Sequence, residues 1–500
     1  MMKRGLLISK ALYVAVALAI LSSVKSVAAG MERPKLVVGI VVDQMRWDYL
    51  YRYYDYYGEG GFKRLMNEGY NCENTMINYI PTVTGVGHTS LFTGSVPSIH
   101  GIADNNFVLN GKEVYCCMDS TEHGVGTNSE DSRRSPRNML TTTIGDELKI
   151  ATDFKAKVIG VSLKDRASIL PAGHSANAAY WIDNSTGTFV TSSYYMKELP
   201  GWVLAFNKKY GGRSENEISY SSYGNLITAE MAKAAIEGEN LGQDPITDML
   251  TVSFSCTDKI GHKYATHSNE MRDIFVDLDS KLADMFSYLD QKVGKGQYLV
   301  FLTADHGAAN NINMLKEHGI PAEGFVSEKV RKSLDEYLKQ KFGAGQQLVM
   351  RISNYNVLLD YKTINEQSLN KEEVKKAAIE WLKHNLEYAY VVDLERICEA
   401  PIPAAIRERL INGYNRQRNG DIQIVLNPAN YEVSSDGIGR GTTHGVWNPY
   451  DSHIPFILMG WHVKPGKTNA KTTINDIAAT VCAMIHIQMP NGCIGNAIEL

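Results

Sequence analysis

The 500-residue chain carries 51 basic and 55 acidic side chains, a formal net charge of −4 at pH 7, and 44% of its residues are hydrophobic, as in globular proteins. A slightly acidic chain has no basic footprint for a nucleic acid, so we expect no nucleic-acid partner. The length exceeds what one ordinary core needs and predicts a large domain with substantial insertions.

The N-terminus has the three parts of an export signal. Residues 11–22 form an apolar run, and small side chains follow it up to Gly30, where a signal peptidase could cut. The basic side chains before the run are Lys3, Arg4 and Lys10. A run of this length is short for a bilayer, which disfavours the alternative of a retained membrane anchor. We predict cleavage after Ala28 or Ala29, a signal peptide at 1–29, and a periplasmic or secreted mature chain without stable membrane insertion.

Cleavage would make the mature protein more acidic. Residues 1–29 carry four of the 51 basic side chains and none of the 55 acidic ones, so 47 and 55 remain, a formal charge of −8. An anionic substrate would then have to be attracted by a local positive site rather than by the whole molecule. A metal centre would supply such a site.

Strand-like and helix-like patterns alternate along the mature chain. Leu36–Val42 is a continuous apolar run, as expected of a strand that is buried on both faces of a sheet. The other predicted strands are Lys157–Val161, Met249–Phe254, Tyr298–Leu302 and Ile454–Met459. The predicted helices are Phe62–Glu68, Met139–Ala151, Asn225–Glu237, Met271–Leu289 and Ile474–Ile485. For residues 30–500 this alternation predicts an α/β fold, a three-layer sandwich with a largely parallel central sheet.

Three segments are typical of insertions over this core. Residues 106–138 and 165–224 are rich in Gly, Ser, Asn, Tyr and charged side chains. The long segment 307–440 contains two predicted helices, at about 327–342 and 371–387, together with short strands. This segment is a candidate cap subdomain.

Three of the predicted strands are followed by an aspartate: Asp43, Asp258 and Asp305. In open α/β sheets, ligands bind outside the carboxyl ends of the strands. A single aspartate at such a place is more often a helix cap or a turn residue than a ligand. Three of them on separate strands, two with a histidine beside them, favour a binding site.

The histidines near these aspartates are spaced as metal ligands. Asp258 and His262 are four residues apart, which places both on one side of a turn, and His306 directly follows Asp305. Carboxylate and imidazole are ligands that divalent metals such as zinc accept. Six residues would fill two three-ligand sites: Asp43, Asp258, His262, Asp305, His306 and His444. Each site would keep an open position, as catalytic metal sites do. Other histidines are interpreted as structural, among them His88, His174, His267 and His453.

A candidate nucleophile, Thr84, stands at the start of a predicted short helix that ends near Gly94. A hydroxyl group at a helix N-terminus lies among free backbone N–H groups that favour anions. On this segment alone the simpler interpretation is that Thr84 is an N-cap. Coordination to a metal would lower the pKa of the hydroxyl and make it a usable nucleophile, so the nearby metal ligands favour a catalytic role.

Together these residues resemble a known family. Their order is similar to that of the alkaline phosphatase superfamily, closest to its PafA-type periplasmic branch: Asp43, Thr84, Asn105, Asp258-x-x-x-His262, Asp305-His306 and His444. The likeness is carried by the strings VVDQMRWDYL, TVTGVGHTS, SVPSIHGI, SLKDRASILPAGH, TADHG and GTTHGVWNPYDSHIPF. It covers nearly the whole mature chain.

The resemblance implies two Zn²⁺ ions as cofactors. The first ion would be held by Asp258, His262 and His444. The second would be held by Asp43, Asp305 and His306, and would also ligate the alkoxide of Thr84.

The resemblance also implies three phosphate-binding residues: Asn105, Lys164 and Arg166. Two departures from the family pattern stand out. Gly85-Val86 follows the nucleophile where the family often has Ala-Pro. The asparagine motif is also less distinct in this chain, where it reads Asp104-Asn-Asn-Phe107, so Asn106 is a second candidate for the role of Asn105.

Without the resemblance, Lys164-Asp-Arg166 would be interpreted as a solvated charged turn after the strand Lys157–Val161. Alternate residues of an extended segment face the same way, which predicts that Lys164 and Arg166 both point at one oxyanion. Arginine offers a bidentate grip on phosphate, and lysine adds a point charge.

The sequence therefore predicts an exported zinc-dependent phosphomonoesterase, an alkaline phosphatase that hydrolyses small-molecule phosphate esters through a covalent phosphothreonine. The alternative is a nucleotide pyrophosphatase/phosphodiesterase on the same two-zinc site. A cytosolic phosphomutase is disfavoured by the signal peptide, and a sulfatase by the lack of a Cys-x-Pro-x-Arg pattern. A catalytically inactive binding protein is disfavoured because every expected chemical group is present.

Overall fold

The computed structural model describes residues 32–500, so the predicted signal peptide lies outside the described residues. The strands, in chain order, are β1 (Leu36–Val42), β2 (Tyr70–Cys72), β3 (Thr75–Met76), β4 (Asn106–Leu109), β5 (Lys112–Tyr115), β6 (Gly124–Val125), β7 (Val158–Ser162), β8 (Ala178–Asp183), β9 (Thr188–Ser192), β10 (Asp248–Phe254), β11 (Tyr298–Thr303), β12 (Gly324–Phe325), β13 (Val349–Ser353), β14 (Asn356–Leu359), β15 (Tyr390–Asp393), β16 (Ile422–Val425), β17 (Tyr431–Glu432), β18 (His453–Ile454), β19 (Phe456–Gly460), β20 (Gly466–Thr468) and β21 (Thr472–Thr473).

The α-helices, in chain order, are α1 (Tyr49–Arg52), α2 (Phe62–Glu68), α3 (Thr84–Thr93), α4 (Pro97–His100), α5 (Ile144–Ala151), α6 (Asp165–Ala172), α7 (Gly201–Tyr210), α8 (Glu215–Ser219), α9 (Ser222–Glu239), α10 (Cys256–Tyr264), α11 (Asn269–Leu289), α12 (Ile312–Glu317), α13 (Ser327–Phe342), α14 (Tyr361–Glu366), α15 (Lys371–Asn385), α16 (Ala404–Gly413), α17 (Pro449–Ser452) and α18 (Ile474–Met484). Short 3₁₀ turns lie at Tyr54–Tyr56, Glu130–Ser132 and Leu394–Glu399, and a π turn at Asp290–Gly294.

A ten-stranded sheet forms the centre of the molecule, in the order β20-β2-β19-β11-β1-β10-β7-β8-β9-β6. Its five middle strands, from β11 to β8, are parallel, and the strands on both flanks add antiparallel pairs. Every residue of β1 is buried, as the continuous apolar run predicts for a strand covered on both faces.

Helices cover both faces of this sheet. One layer contains α3, α5, α6 and α18, which contact one another, and the other contains α2, α9, α10 and α11. Side chains from the sheet and both layers form one continuous apolar core. The predicted three-layer α/β sandwich with a parallel centre is thereby confirmed.

Among the predicted elements whose bounds differ from the structure, two differ for a clear local reason. The helix predicted from Met139 begins at Ile144, because Thr143 and Asp146 form a reciprocal capping box that fixes the start there. The strand predicted at 454–459 is split around Pro455, which separates β18 from β19. Proline has no backbone N–H to donate to a strand ladder.

Part of the segment predicted as a cap builds a second, smaller sheet. Its order is β13-β14-β16-β15, and α13 and α15 pack beside it. The two helices share a separate apolar core with this sheet, to which Leu334, Leu338 and Leu382 contribute. Within residues 32–500, no helix is both long enough and apolar enough to cross a membrane.

Candidate active site

The carboxyl ends of three adjacent parallel strands bring the three predicted aspartates together. In the sheet register, Val42 of β1 pairs with Phe254 of β10, and Val41 pairs with Thr303 of β11. The three aspartates, Asp43, Asp258 and Asp305, follow these strand ends, and all three are buried. Carboxylates taken out of water need cationic or hydrogen-bonding partners, so their common location demands a compensating charge.

The three predicted histidine ligands are oriented alike. Nδ1 of His262 donates to the carbonyl of Thr442 (3.0 Å), Nδ1 of His306 to that of Gly307 (3.0 Å), and Nδ1 of His444 to that of Thr82 (2.7 Å). A carbonyl oxygen only accepts, so Nδ1 carries the proton in each ring. Each Nε2 therefore keeps a lone pair. Histidines that bind metals in proteins usually donate the N–H of the other ring nitrogen in this way.

These Nε2 atoms face the aspartates. His262 Nε2 lies 3.0 Å and His444 Nε2 3.6 Å from Asp258 Oδ1. His306 Nε2 lies 3.5 Å from both Asp43 Oδ1 and Asp305 Oδ2. Two sets of donor atoms each fall within 4.8 Å of one another: Asp258, His262 and His444, and Asp43, Asp258 and His306. Asp258 thus lies between the two groups, whereas the sequence assigns it to one.

Unsatisfied buried atoms mark the same place. Within the described residues, Asp43 Oδ1 and His306 Nε2 are buried without a hydrogen-bond partner. Native structures leave few buried polar atoms unpaired, and such atoms call for a bound ion or water. The mixed oxygen and nitrogen donor set fits zinc better than calcium or magnesium, which prefer oxygen alone.

The pKa shifts reflect this crowding of buried charges. Burial, with Asp258 and Asp305 nearby, raises the pKa of Asp43 to about 7. Burial would also raise the pKa of Asp258, but His262 and Lys164 hold it well below its usual range. Burial and the neighbouring His306 and His262 hold the pKa of His444 well below its ordinary value. A neutral imidazole is the form that binds a metal.

Thr84 is the first residue of α3 and is 2% exposed. The N-cap position of this helix is Val83, whose side chain makes no capping hydrogen bond, so the N-cap interpretation of Thr84 does not hold. A Cβ atom on Gly87 would lie 2.3 Å from the carbonyl oxygen of Asp305. The glycine lets the helix that carries Thr84 pack directly against the segment that carries Asp305 and His306.

Asn105 lies against the start of α3. Its Oδ1 accepts a hydrogen bond from the backbone N–H of Gly85 (2.8 Å), which leaves Nδ2 to donate elsewhere. A Cβ atom on Gly85 would lie 3.0 Å from that Oδ1, so the Gly85 that departs from the family pattern also makes room for this contact. Asn106, the second candidate, is exposed at the start of β4.

The predicted extended conformation of Lys164-Asp-Arg166 is wrong. Lys164 is extended, but it is the N-cap of α6, and Arg166 lies in the first turn of that helix. Both side chains nevertheless reach the site by different routes. Lys164 Nζ lies 2.6 Å from Asp43 Oδ2 and 2.6 Å from Asp258 Oδ2, and the Arg166 side chain lies beside Gly85.

Several contacts of this site carry no motif of their own in the sequence. Gln44 Nε2 donates to Asp258 Oδ1 (2.7 Å), and its backbone N–H donates to Asp305 Oδ1 (3.2 Å). His88, which the sequence assigns to a structural role, donates through Nδ1 to the Thr84 carbonyl (2.9 Å) and lies 3.2 Å from Asp305 Oδ2. The signal that could have found them is their spacing: Gln44 directly follows Asp43, and His88 lies four residues, about one helical turn, after Thr84.

Comparison with known proteins identifies the class. The model of the type I phosphodiesterase / nucleotide pyrophosphatase family matches residues 37–450, and the chain belongs to this family. Among curated relatives, alkaline phosphatase PafA of Elizabethkingia meningoseptica is 46% identical (93% of this chain, 94% of that protein). Alkaline phosphatase PhoV of Synechococcus elongatus is 43% identical (93% and 92%). A Myroides odoratus protein named calcium-transporting ATPase is 46% identical (94% and 95%).

A solved structure agrees with these sequence matches. The crystal structure of wild-type alkaline phosphatase PafA superposes with a TM-score of 0.90 at 45% identity, and the match covers 94% of this chain and 99% of that one. The resemblance to the alkaline phosphatase superfamily, and to its PafA-type branch, is therefore confirmed.

Proposed function

We propose that this chain is an alkaline phosphatase, a phosphomonoesterase that hydrolyses small-molecule phosphate esters with two zinc ions and a phosphothreonine at Thr84. Its relatives at 43–46% identity include two named alkaline phosphatases, which supports the activity. The single observation that carries the chemistry is the common orientation of three histidines, whose Nε2 atoms face buried carboxylates beside the N-terminus of α3.

This arrangement supports an assignment of the metal ligands. Asp258, His262 and His444 would hold one zinc ion, and the second would be held by Asp43, Asp305, His306 and Thr84. When bound, the two ions would supply charge stabilisation for the attacking and leaving oxygens of the phosphoryl group. The residues around them bind and orient the ester.

Thr84 would be the nucleophile. Its Oγ1 would form a bond to phosphorus while the bond to the ester oxygen breaks, and the alcohol would leave. Water would then hydrolyse the phosphothreonine and release phosphate. Because phosphoryl transfer depends mostly on positioning and charge stabilisation, burial of Thr84 at a helix N-terminus suits this role.

Asn105 and Arg166 would bind the phosphoryl oxygens. The Gly85 N–H fixes the amide of Asn105 so that Nδ2 is available as a donor. Arg166 stays charged: burial would lower its pKa, but Tyr115 and Asp165 raise it. Lys164, whose Nζ lies between Asp43 and Asp258, would add a positive charge near the same oxygens.

The second candidate function is that of a nucleotide pyrophosphatase/phosphodiesterase, the activity after which the matching family is named. It would use the same metal ligands and Thr84. The feature that favours the monoesterase is the pair Lys164 and Arg166, because a monoester presents one more anionic oxygen than a diester does. A cation beside the alkyl group of a diester would have no negative charge to interact with there.

Export is part of the proposal. Residues 1–29 have the composition of a signal peptide, and the mature enzyme would act in the periplasm or outside the cell. N-terminal sequencing of the exported protein should give a chain that starts at Ala29 or Gly30. A chain that retains Lys3 after export would contradict cleavage.

The experiment that tests the activity is a substrate panel on the zinc-loaded protein. We expect the highest kcat/KM for phosphate monoesters and much lower values for phosphate diesters and sulfate esters. A diester that is hydrolysed faster than every monoester would favour the phosphodiesterase function. A protein with full zinc content that hydrolyses none of them would support an inactive binding protein.

A further inference from the structure

We propose that Asn354, at the tip of a hairpin in the segment 307–440, is a positioning residue that holds Asn105 in place through Asp104. The inference rests on the proposed role of Asn105 as a donor to the phosphoryl group. It assigns a role in the reaction to a side chain that is 249 positions away from Asn105 in the chain.

The hairpin tip has a defined shape. Asn354 and Tyr355 connect β13 to β14, and both have left-handed backbone conformations (φ 47° and 64°). A two-residue turn with positive φ at both positions is of type I′, in which asparagine is favoured first. The carbonyl of Asn354 accepts from Gln423 Nε2 (3.0 Å), and the Tyr355 hydroxyl accepts from the N–H of Glu432 (2.8 Å). The turn is therefore anchored to the rest of its own subdomain.

From this anchored turn, the side chains reach Asp104. Asn354 Nδ2 donates to both carboxylate oxygens of Asp104, each at 2.9 Å, and Ser353 Oγ donates to Oδ2 at 2.9 Å. Asp104 is buried, so its orientation depends on these donors rather than on water. A carboxylate held by three hydrogen bonds has little freedom to rotate.

Asp104 in turn fixes Asn105. Its Oδ1 accepts the backbone N–H of Asn105 (2.6 Å), while the carbonyl of Asn105 accepts the N–H of Cys116 (2.9 Å). The side chain is then held by Gly85, which donates its N–H to Oδ1 (2.8 Å). The hairpin, Asp104 and Asn105 thus form one continuous chain of hydrogen bonds that ends at the start of α3.

Asn354 also touches the segment after His444. A Cβ atom on Gly445 (φ 111°) would lie 2.7 Å from Asn354 Oδ1, so only glycine permits this approach. The amide donates no hydrogen bond to Gly445; among the described residues, both of its hydrogen bonds go to Asp104. The contacts therefore assign its effect to Asn105 rather than to His444.

The test uses Asn354→Gly, which removes the amide but keeps a residue that adopts positive φ without steric strain. Asn110→Gly is the matched control, because Asn110 (φ 52°) and Gly111 (φ 73°) form the same kind of turn between β4 and β5 on the surface. We would measure kcat, KM and zinc content with an aryl phosphate monoester for the wild type, Asn354→Gly, Asn105→Ala and the double variant.

We expect Asn354→Gly to lower kcat by about 10- to 100-fold in the wild-type background, the scale of a misplaced catalytic group. In the Asn105→Ala background the same change should cost less than about twofold, since its target is already gone. Zinc content should stay at the wild-type level, and Asn110→Gly should behave like the wild type. Ser353→Ala should lower kcat in the same direction by a smaller factor.

The outcomes separate this inference from the proposed function. If Asn105→Ala leaves turnover unchanged, the role of Asn105 fails and the inference fails with it. If Asn105→Ala is slow while Asn354→Gly is normal, the inference alone is overturned. Equal losses from Asn354→Gly in both backgrounds would overturn it too, because the hairpin would then act on the fold. A loss of zinc in Asn354→Gly would move its effect to His444 and also overturn it.

Discussion

Arg166 Nη1 donates a hydrogen bond to the hydroxyl oxygen of Tyr115 at 3.3 Å. That hydroxyl donates in turn to Asp165 Oδ1 (2.5 Å), and Asp165 Oδ2 accepts from Arg134 Nε (2.6 Å). The guanidinium of Arg134 lies over the ring of Tyr115, 4.7 Å from its centre. The phenol is thus held on two sides, and its oxygen offers Arg166 a fixed acceptor.

Tyr115→Phe should therefore weaken the proposed interaction of Arg166 with phosphate. The change removes only the hydroxyl, and a hydrogen bond to a charged group is worth about 1.5–3 kcal/mol, so we expect kcat/KM for monoesters to fall about 10- to 100-fold. Steady-state kinetics on an aryl monoester measures this. Tyr337→Phe is the control, because it removes a similar contact with Lys341 on the surface. Equal effects of both substitutions would show that Tyr115 has no special link to Arg166.

Thr84→Ala should abolish nearly all turnover, whereas Thr84→Ser should retain a substantial part because the hydroxyl remains. Acid quenching during turnover, followed by mass spectrometry, should place phosphate on residue 84. The neighbouring hydroxyls are engaged elsewhere: Thr82 Oγ1 donates to Val446 O (3.0 Å), and Thr89 Oγ1 to Gly85 O (2.7 Å). Phosphate found on either of them would identify a different nucleophile.

Metal analysis of the purified protein should give close to two zinc ions per chain. A chelator should remove activity and lower Tm, because a ligand that binds only the folded state stabilises it. Without metal, three buried carboxylates, Asp43, Asp258 and Asp305, face one another. Added zinc should restore both properties. Full activity in a metal-free preparation, or with calcium alone, would contradict the zinc site.

The double substitution Lys164→Ala with Arg166→Ala should separate monoesters from diesters. Loss of preorganised charge should reduce monoester turnover on the order of 10²–10⁴-fold. Diester turnover should change far less, because a diester lacks the second anionic oxygen. The measurement is the ratio of kcat/KM for an aryl monoester to that for its methyl diester, before and after the change. An equal fall in both reactions would mean that these cations serve the fold.

The sequence predicted the parts of this molecule that depend on local pattern. The apolar run of β1 has the predicted bounds, Leu36–Val42. The helix that begins with Thr84 ends at Thr93, and the next residue, Gly94, has a φ of 62° that suits glycine. The three aspartates follow strand ends, so the parallel arrangement of the sheet was enough to bring them together. These features require only the periodicity of the chain and the rule for ligand sites in α/β sheets.

What the sequence missed depends on contacts between distant segments. The helix that starts at Asp165 was not predicted, because Lys164-Asp-Arg166 alone is equally compatible with an extended segment. Tyr115 and Arg134 lie in one predicted insertion and Asn354 in another, and no local pattern connects them with Arg166 or Asn105. Only the tertiary structure shows that hydrogen bonds from these insertions converge on the site.

The separation between the central sheet and the outer hairpins has a consequence for how such enzymes can diversify. The three aspartates of the candidate metal site follow strands of the central sheet. Tyr115 contacts Arg166, and Asn354 acts on Asn105 through Asp104, from two hairpins that lie outside this sheet. A change in such a hairpin can therefore alter the placement of the side chains proposed to bind phosphate without disturbing the sheet. Grafting the hairpin of β4 and β5, residues 106–115, from a relative with a different ester preference should transfer part of that preference to this scaffold, because this hairpin lies outside the central sheet.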